Sequence, residues 1–173
     1  MSSIIDHKLL KQVLDWAYSA HQEHNTRDDV RAYAQTPYIA HPIWAAFMLL
    51  NDTRLPFKDR EIGYQALLLH DVLEDTSKGL PDFVSDEVKR AVEEMTHTNW
   101  KEEQNIASKS DFIKLLKLCD KMATMYDENM KPDPKKRREW LQLLEALATG
   151  VEKTYGNTRV VVTARAILAN TDW

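Results

Sequence analysis

The chain has 173 residues, 29% of them charged, and a formal net charge of −4. That length supports one domain with a full core and no need of disulfide or metal staples. Its 4 glycines (Gly63, Gly79, Gly150 and Gly156) never cluster, which excludes a P-loop, a dinucleotide-binding turn and a turn-rich β-barrel.

Leu9, Leu10, Val13, Leu14, Ala17 and Tyr18 recur at helical spacing, and the stripe extends to His21. Ser3 and Asp6 are available as caps for this first helix. Residues 24–36 are polar, without apolar period, and read as a loop. Pro42 suits a first helical turn and opens a short helix through Trp44, Phe47, Met48 and Leu49, interrupted at Leu55-Pro56. A third helix is expected over 58–73, closing in the polar run 74–77. Ser85 with Asp86 and Glu87 marks a fourth start, its acids placed where the helix dipole favours them. Val88, Ala91, Val92 and Met95 continue that stripe. Residues 96–109 are polar and receive no element. A strongly apolar helix is expected over 112–125, and Asp133-Pro134 begins another that runs to Gly156. Residues 157–168 supply the last. No repeat or linker divides the chain, so the expectation is one all-α domain over 1–173.

The remaining bulk features narrow the partners. A mildly acidic chain without a basic block is a poor match for nucleic acid. Lone Cys119 excludes a disulfide framework and a multi-cysteine zinc site. No run nears the ~18 apolar residues of a membrane span, and residues 1–10 lack a signal-peptide stretch. The expected setting is the cytoplasm, with no membrane partner.

Chemistry concentrates at the end of the third helix, where the leucine-rich run 66–69 gives way to His70, Asp71, Glu74 and Asp75. His70 and Glu74 are one turn apart on one face, and Asp71 and Asp75 form the next row. The same four groups also suit a helix end entering solvent, although acids there oppose the dipole and ask for a cation. Asp120 points along an apolar stripe between Leu116 and Ala123. A buried carboxylate there must be paired in a salt bridge, hydrogen-bonded or metal-bound. His41 stands before Pro42 at a helix start, as a cap, a packed residue or a ligand. Two imidazoles and two carboxylates make a mixed N/O set suited to Mn²⁺, Fe²⁺, Co²⁺ or Zn²⁺. Trp44 and Trp140 fall on apolar faces, whereas His7, His24 and His97 have no partner pattern and read as surface residues.

Tyr38-Ile39-Ala40-His41-Pro42, the run 66–76 around His70-Asp71, and Lys117-Leu118-Cys119-Asp120-Lys121 together resemble the ordered signature of HD-domain phosphohydrolases. The likeness is closest to the RelA/SpoT-type branch and its small alarmone hydrolases. Ala20-His21 resembles that family's first-helix ending, and the basic-then-aromatic run 135–141 is similar to a late stretch of the small hydrolases. The resemblance implies an HD-type helical bundle with metal ligands His41, His70, Asp71 and Asp120. It implies a divalent metal, manganese first, and Glu74 and Asp75 acting on the water or the leaving group. The implied substrate is a small phosphorylated nucleotide of the guanosine 3′,5′-bis(diphosphate) type, cleaved at its 3′-diphosphate. Another nucleotide hydrolase on the same scaffold, or a nucleotide-sensing module, are the alternatives.

For substrate phosphates, Lys121, Lys136, Arg137 and either Arg27 or Arg31 are available. Two positions depart from the family: Thr124 and Tyr126 stand where an Asn and an Arg are usual. Both belong to the part of the family's pocket that holds substrate. Oligomeric state is left open.

Overall fold

The computed structural model describes residues 5–23, 37–97, 105–125 and 134–170. Asp6 Oδ1 accepts the N–H groups of Lys8 (2.9 Å) and Leu9 (3.1 Å), which starts helix α1, His7–Glu23, at the expected cap. Its face of Val13, Ala17 and Ala20 is fully buried. Helix α2, Ala40–Leu50, carries His41 and Pro42 in its first turn. Helix α3, Phe57–Leu69, is buried on every side from Gly63 onward, as its unbroken apolar run requires. A one-turn helix α4, Val72–Asp75, follows. Helix α5, Asp86–Met95, is capped by Ser85, whose Oγ accepts Val88 N–H at 3.3 Å.

Residues 96–109, unassigned from sequence, contain a 3-10 turn at Asn105–Ser108 that sinks Ile106 into the core. Helix α6, Asp111–Met125, is the second central rod, buried from Leu115 through Asp120. Helix α7, Pro134–Tyr155, begins at the expected proline and stops at Gly156, whose φ of +73° closes the helix in the left-handed region. Helix α8, Arg159–Ala169, is capped by Thr158, whose Oγ1 accepts Val161 N–H at 3.3 Å.

The helices stack around α3 and α6. Helix α2 lies against both, α5 also touches both, and α7 packs between α6 and α8. The architecture is an all-α bundle, as the periodicity implies. Close approach at the centre depends on Gly63, where a Cβ would overlap Leu49 of α2 and lie 2.9 Å from Leu116 Cδ2 of α6.

Three differences from the sequence reading stand out. The expected helix over 58–73 is broken, with a turn at His70-Asp71 between α3 and α4. His70 Nδ1 sits 2.7 Å from the Leu67 carbonyl, the acceptor that Asp71 N–H would use in a continuing helix. Trp44 is 49% exposed, together with Phe47 on the outer side of α2, so that helix's apolar character exceeds what the core takes up. His97, read as a surface residue, is half-buried and its backbone N–H is engaged by Glu74. Ser3, the loop 24–36 with His24, Tyr126 and Asp133 lie outside the described residues.

Candidate metal and catalytic site

Three buried stretches converge on one point. Helix α2 brings His41 in its first turn, the α3–α4 turn brings His70 and Asp71, and mid-α6 brings Asp120; all four are less than 9% exposed. One ligand atom each from His41, His70 and Asp71 lies within 4.8 Å of the others. The two imidazole rings face each other with centroids 5.4 Å apart. His41 Nε2 is 2.9 Å from Asp120 Oδ1. His70 Nε2 is 2.9 Å from Asp71 Oδ1 and 3.6 Å from Asp120 Oδ1.

The donor set fits a divalent ion on two counts. His70 donates its Nδ1 proton to Leu67 C=O, which leaves the Nε2 lone pair facing the two aspartates. That nitrogen is fully buried and has no partner in hydrogen-bonding geometry, although carboxylate oxygens flank it. Electrostatics agree. Burial opposes charge on His70, yet Asp71 and Asp120 outweigh it and push the imidazolium up to about 10. Burial likewise works against the Asp71 carboxylate, but His70 and His41 bring its pKa down. The pocket therefore attracts positive charge, which a proton or a metal cation can supply.

The surrounding groups are equally ordered. Tyr38 stacks on His21 of α1 with ring centroids 4.8 Å apart. Its hydroxyl lies 3.2 Å from Asp71 Oδ2 and also meets Asp75 Oδ2. Asp75 is thereby tied to the His/Asp cluster by one shared hydroxyl. Glu74 Oε1 accepts His97 N–H at 2.7 Å. Burial raises the Glu74 pKa against the lowering effects of that bond and of Lys117. On the far side of Asp120, Lys117 Nζ is 3.0 Å from Oδ2 and Lys121 Nζ 3.6 Å from the same oxygen.

A solved structure described as a metazoan ortholog of SpoT that hydrolyzes ppGpp and plays a role in starvation responses superposes on this chain with a TM-score of 0.71. The match covers 97% of each chain at 22% sequence identity. The two chains share a fold. No protein-family model matches the sequence, and no curated protein does either.

Of the residues expected from sequence, His41, His70, Asp71 and Asp120 come together, with Asp75 joined to them through Tyr38. Asp120 has the ammonium partner expected of a buried carboxylate, and two imidazoles lie beside it as well. Lys121, expected at a substrate phosphate, leans on Asp120. Thr124 is buried, and its hydroxyl donates to the Asp120 carbonyl one turn back. Arg137 is half-buried in the first turn of α7. Arg27 and Arg31, and the side chain of Lys136, lie outside the described residues. Sequence reasoning missed Tyr38 and Lys117 as parts of the site. The available signals were a lysine inside an otherwise buried run and a tyrosine three residues before His41.

Proposed function

We propose that this chain is a metal-dependent phosphohydrolase acting on an alarmone of the guanosine 3′,5′-bis(diphosphate) type at its 3′-diphosphate, with manganese as the metal. The observation that carries the reaction class is the buried His41, His70, Asp71 and Asp120 cluster, with the His70 Nε2 lone pair turned inward by the bond from Nδ1 to Leu67. A divalent ion held by these residues supplies Lewis acidity toward a phosphoryl oxygen and acidifies water. The chain's own groups do the rest. Asp75, held beside Asp71 by Tyr38, accepts the proton that the attacking water gives up. Glu74, its pKa raised by burial, donates a proton to the leaving group. The solved structure superposing over 97% of this chain belongs to a protein that hydrolyzes ppGpp, which supports the substrate class.

One observation favours a different nucleotide on the same centre. Thr124 stands at the family's Asn position and spends its hydroxyl on its own helix, so the grip on the guanosine 3′-diphosphate differs there. Both readings are tested by phosphate and pyrophosphate release from a nucleotide panel with added Mn²⁺, comparing wild type with Asp71→Ala. Pyrophosphate release from the 3′-diphosphorylated guanosine nucleotide, lost in Asp71→Ala, is the expected result. Release from another nucleotide alone replaces the substrate. No release from any nucleotide overturns the enzymatic reading.

A further inference from the structure

The two aspartates of the cluster share one pattern. In each, one carboxylate oxygen faces the ring nitrogens and the other is held by an outer donor. Asp71 turns Oδ1 to His70 Nε2 at 2.9 Å, and its Oδ2 is met by the Tyr38 hydroxyl at 3.2 Å. Asp120 turns Oδ1 to His41 Nε2 at 2.9 Å and to His70 Nε2 at 3.6 Å. Its Oδ2 accepts from Lys117 Nζ at 3.0 Å, with Lys121 at 3.6 Å behind it.

Lys117 has an unusual location for a lysine, with its side chain only 3% exposed. Burying an ammonium is costly unless it is paired, and one of its partners is an oxygen of the candidate ligand Asp120. Three residues apart on α6, Lys117 and Asp120 are helical neighbours, so the pair is built into a rigid element. Tyr38 is similarly constrained, with its ring stacked on His21 and its hydroxyl shared between Asp71 and Asp75.

We propose that Lys117 and Tyr38 are positioning residues that make Asp120 and Asp71 one-oxygen ligands, and that this outer layer selects a small transition-metal ion against Ca²⁺. The inference rests on the metal-site reading above. Its physical basis is the difference in coordination. Ca²⁺ takes six to eight oxygens and commonly both oxygens of a carboxylate. A site of two imidazoles and two single oxygens suits first-row transition metals instead. Engaging Oδ2 of Asp120 with the buried Lys117 ammonium, and Oδ2 of Asp71 with the half-buried Tyr38 hydroxyl, disfavours the two-oxygen carboxylate binding that Ca²⁺ commonly uses. Outer partners of this kind commonly change metal affinity by about 10–100-fold when removed.

The test is calorimetric titration of chelator-treated full-length protein with Mn²⁺ and separately with Ca²⁺, in wild type, Lys117→Met and Tyr38→Phe. The expected result is Mn²⁺ binding weakened by about 10-fold or more in each variant. The ratio of Mn²⁺ to Ca²⁺ affinity is expected to narrow as well, because the released oxygen can turn inward. Both affinities lowered together at an unchanged ratio, as a general loss of packing would give, overturn the proposal. Both variants folded by circular dichroism and binding Mn²⁺ within twofold of wild type, at an unchanged ratio, overturns the proposal. Should Lys117→Met fail to fold, Tyr38→Phe carries the test, since it removes one hydroxyl and keeps the ring. A wild type that binds no divalent ion overturns this proposal and the metal reading together. Metal binding that behaves as expected without hydrolysis of any nucleotide overturns the enzymatic reading alone.

Discussion

His70 holds the carbonyl oxygen of Leu67 at 2.7 Å from its own Nδ1, three residues back along the chain. One hydrogen bond thus does two things. It fixes the imidazole tautomer, and it engages the carbonyl that Asp71 N–H would use if α3 ran on into α4. His70→Ala removes a proposed ligand together with the ring's bond to Leu67. We expect Mn²⁺ affinity to fall by about 100-fold while far-ultraviolet circular dichroism shows no loss of helix. Full metal occupancy in the variant would remove His70 from the ligand set.

Glu74 gives a pH dependence of definite sign. Burial raises its pKa above the ordinary 4.5, partly offset by the His97 N–H bond and Lys117. The folded state therefore binds this proton more tightly than the unfolded state. Its contribution to stability is full below pH 4.5 and declines as pH rises through the folded value. Glu74→Gln keeps an acceptor for His97 N–H and cannot ionise. Relative to wild type, Glu74→Gln is expected to gain stability between pH 4 and pH 7, measured as the difference in urea midpoint at the two pH values. A constant difference across that range would refute the assigned shift.

What could be read from sequence follows the range of the interactions involved. Helix α1 and its Asp6 cap, the Ser85 cap of α5 and the proline start of α7 are local features, written within a few residues. So is the His70-Asp71 motif. The break after Leu69 was not legible, because no Gly or Pro marks it and the bond of the His70 ring to Leu67 leaves no trace in the apolar pattern. Tyr38 meets Asp71 and Asp75 across 33 and 37 residues, a pairing that only the packing of α2 against α3 creates. The partners of Lys117 follow from the burial of α6 on almost every side, which packing decides. Apolar periodicity likewise placed Trp44 on an apolar face, but it does not say whether that face is covered, and Trp44 is 49% exposed.

Asp52 is the longest-range example and carries its own prediction. It lies fully buried after α2 and accepts Val160 N–H at 2.8 Å through Oδ2, capping α8 from 108 residues away. Its Oδ1 accepts Arg54 N–H at 3.2 Å. Asp52→Ala leaves a buried N–H of α8 without an acceptor and is expected to cost about 2 kcal/mol. Asp52→Asn, which keeps one acceptor oxygen, should cost less. Because α8 carries none of the cluster residues, Mn²⁺ affinity measured under folding conditions should stay within about twofold of wild type in both variants. A large loss of metal affinity in folded Asp52→Asn would mean that the end of α8 is coupled to the site.

Gly63 links packing to the site most directly. An added Cβ would overlap Leu49 and come within 2.9 Å of Leu116 Cδ2, and both leucines are fully buried. Alanine inside a helix is favoured over glycine by about 1 kcal/mol. Overpacking a closed core typically costs about 1–3 kcal/mol, and neither leucine can relieve it by swinging into solvent. The overlap wins, so Gly63→Ala is expected to lower stability by about 1–2 kcal/mol in urea denaturation. The strain falls where α2, α3 and α6 meet, and those helices position His41, His70 and Asp120. Spreading them should therefore weaken Mn²⁺ binding as well, unlike the Asp52 variants. Shortening the facing side chain makes room: Leu49→Ala alone leaves a cavity, but combined with Gly63→Ala its cost should fall short of the sum by about 1 kcal/mol. An unchanged or raised urea midpoint in Gly63→Ala would show that the three helices do not meet as closely as this packing requires.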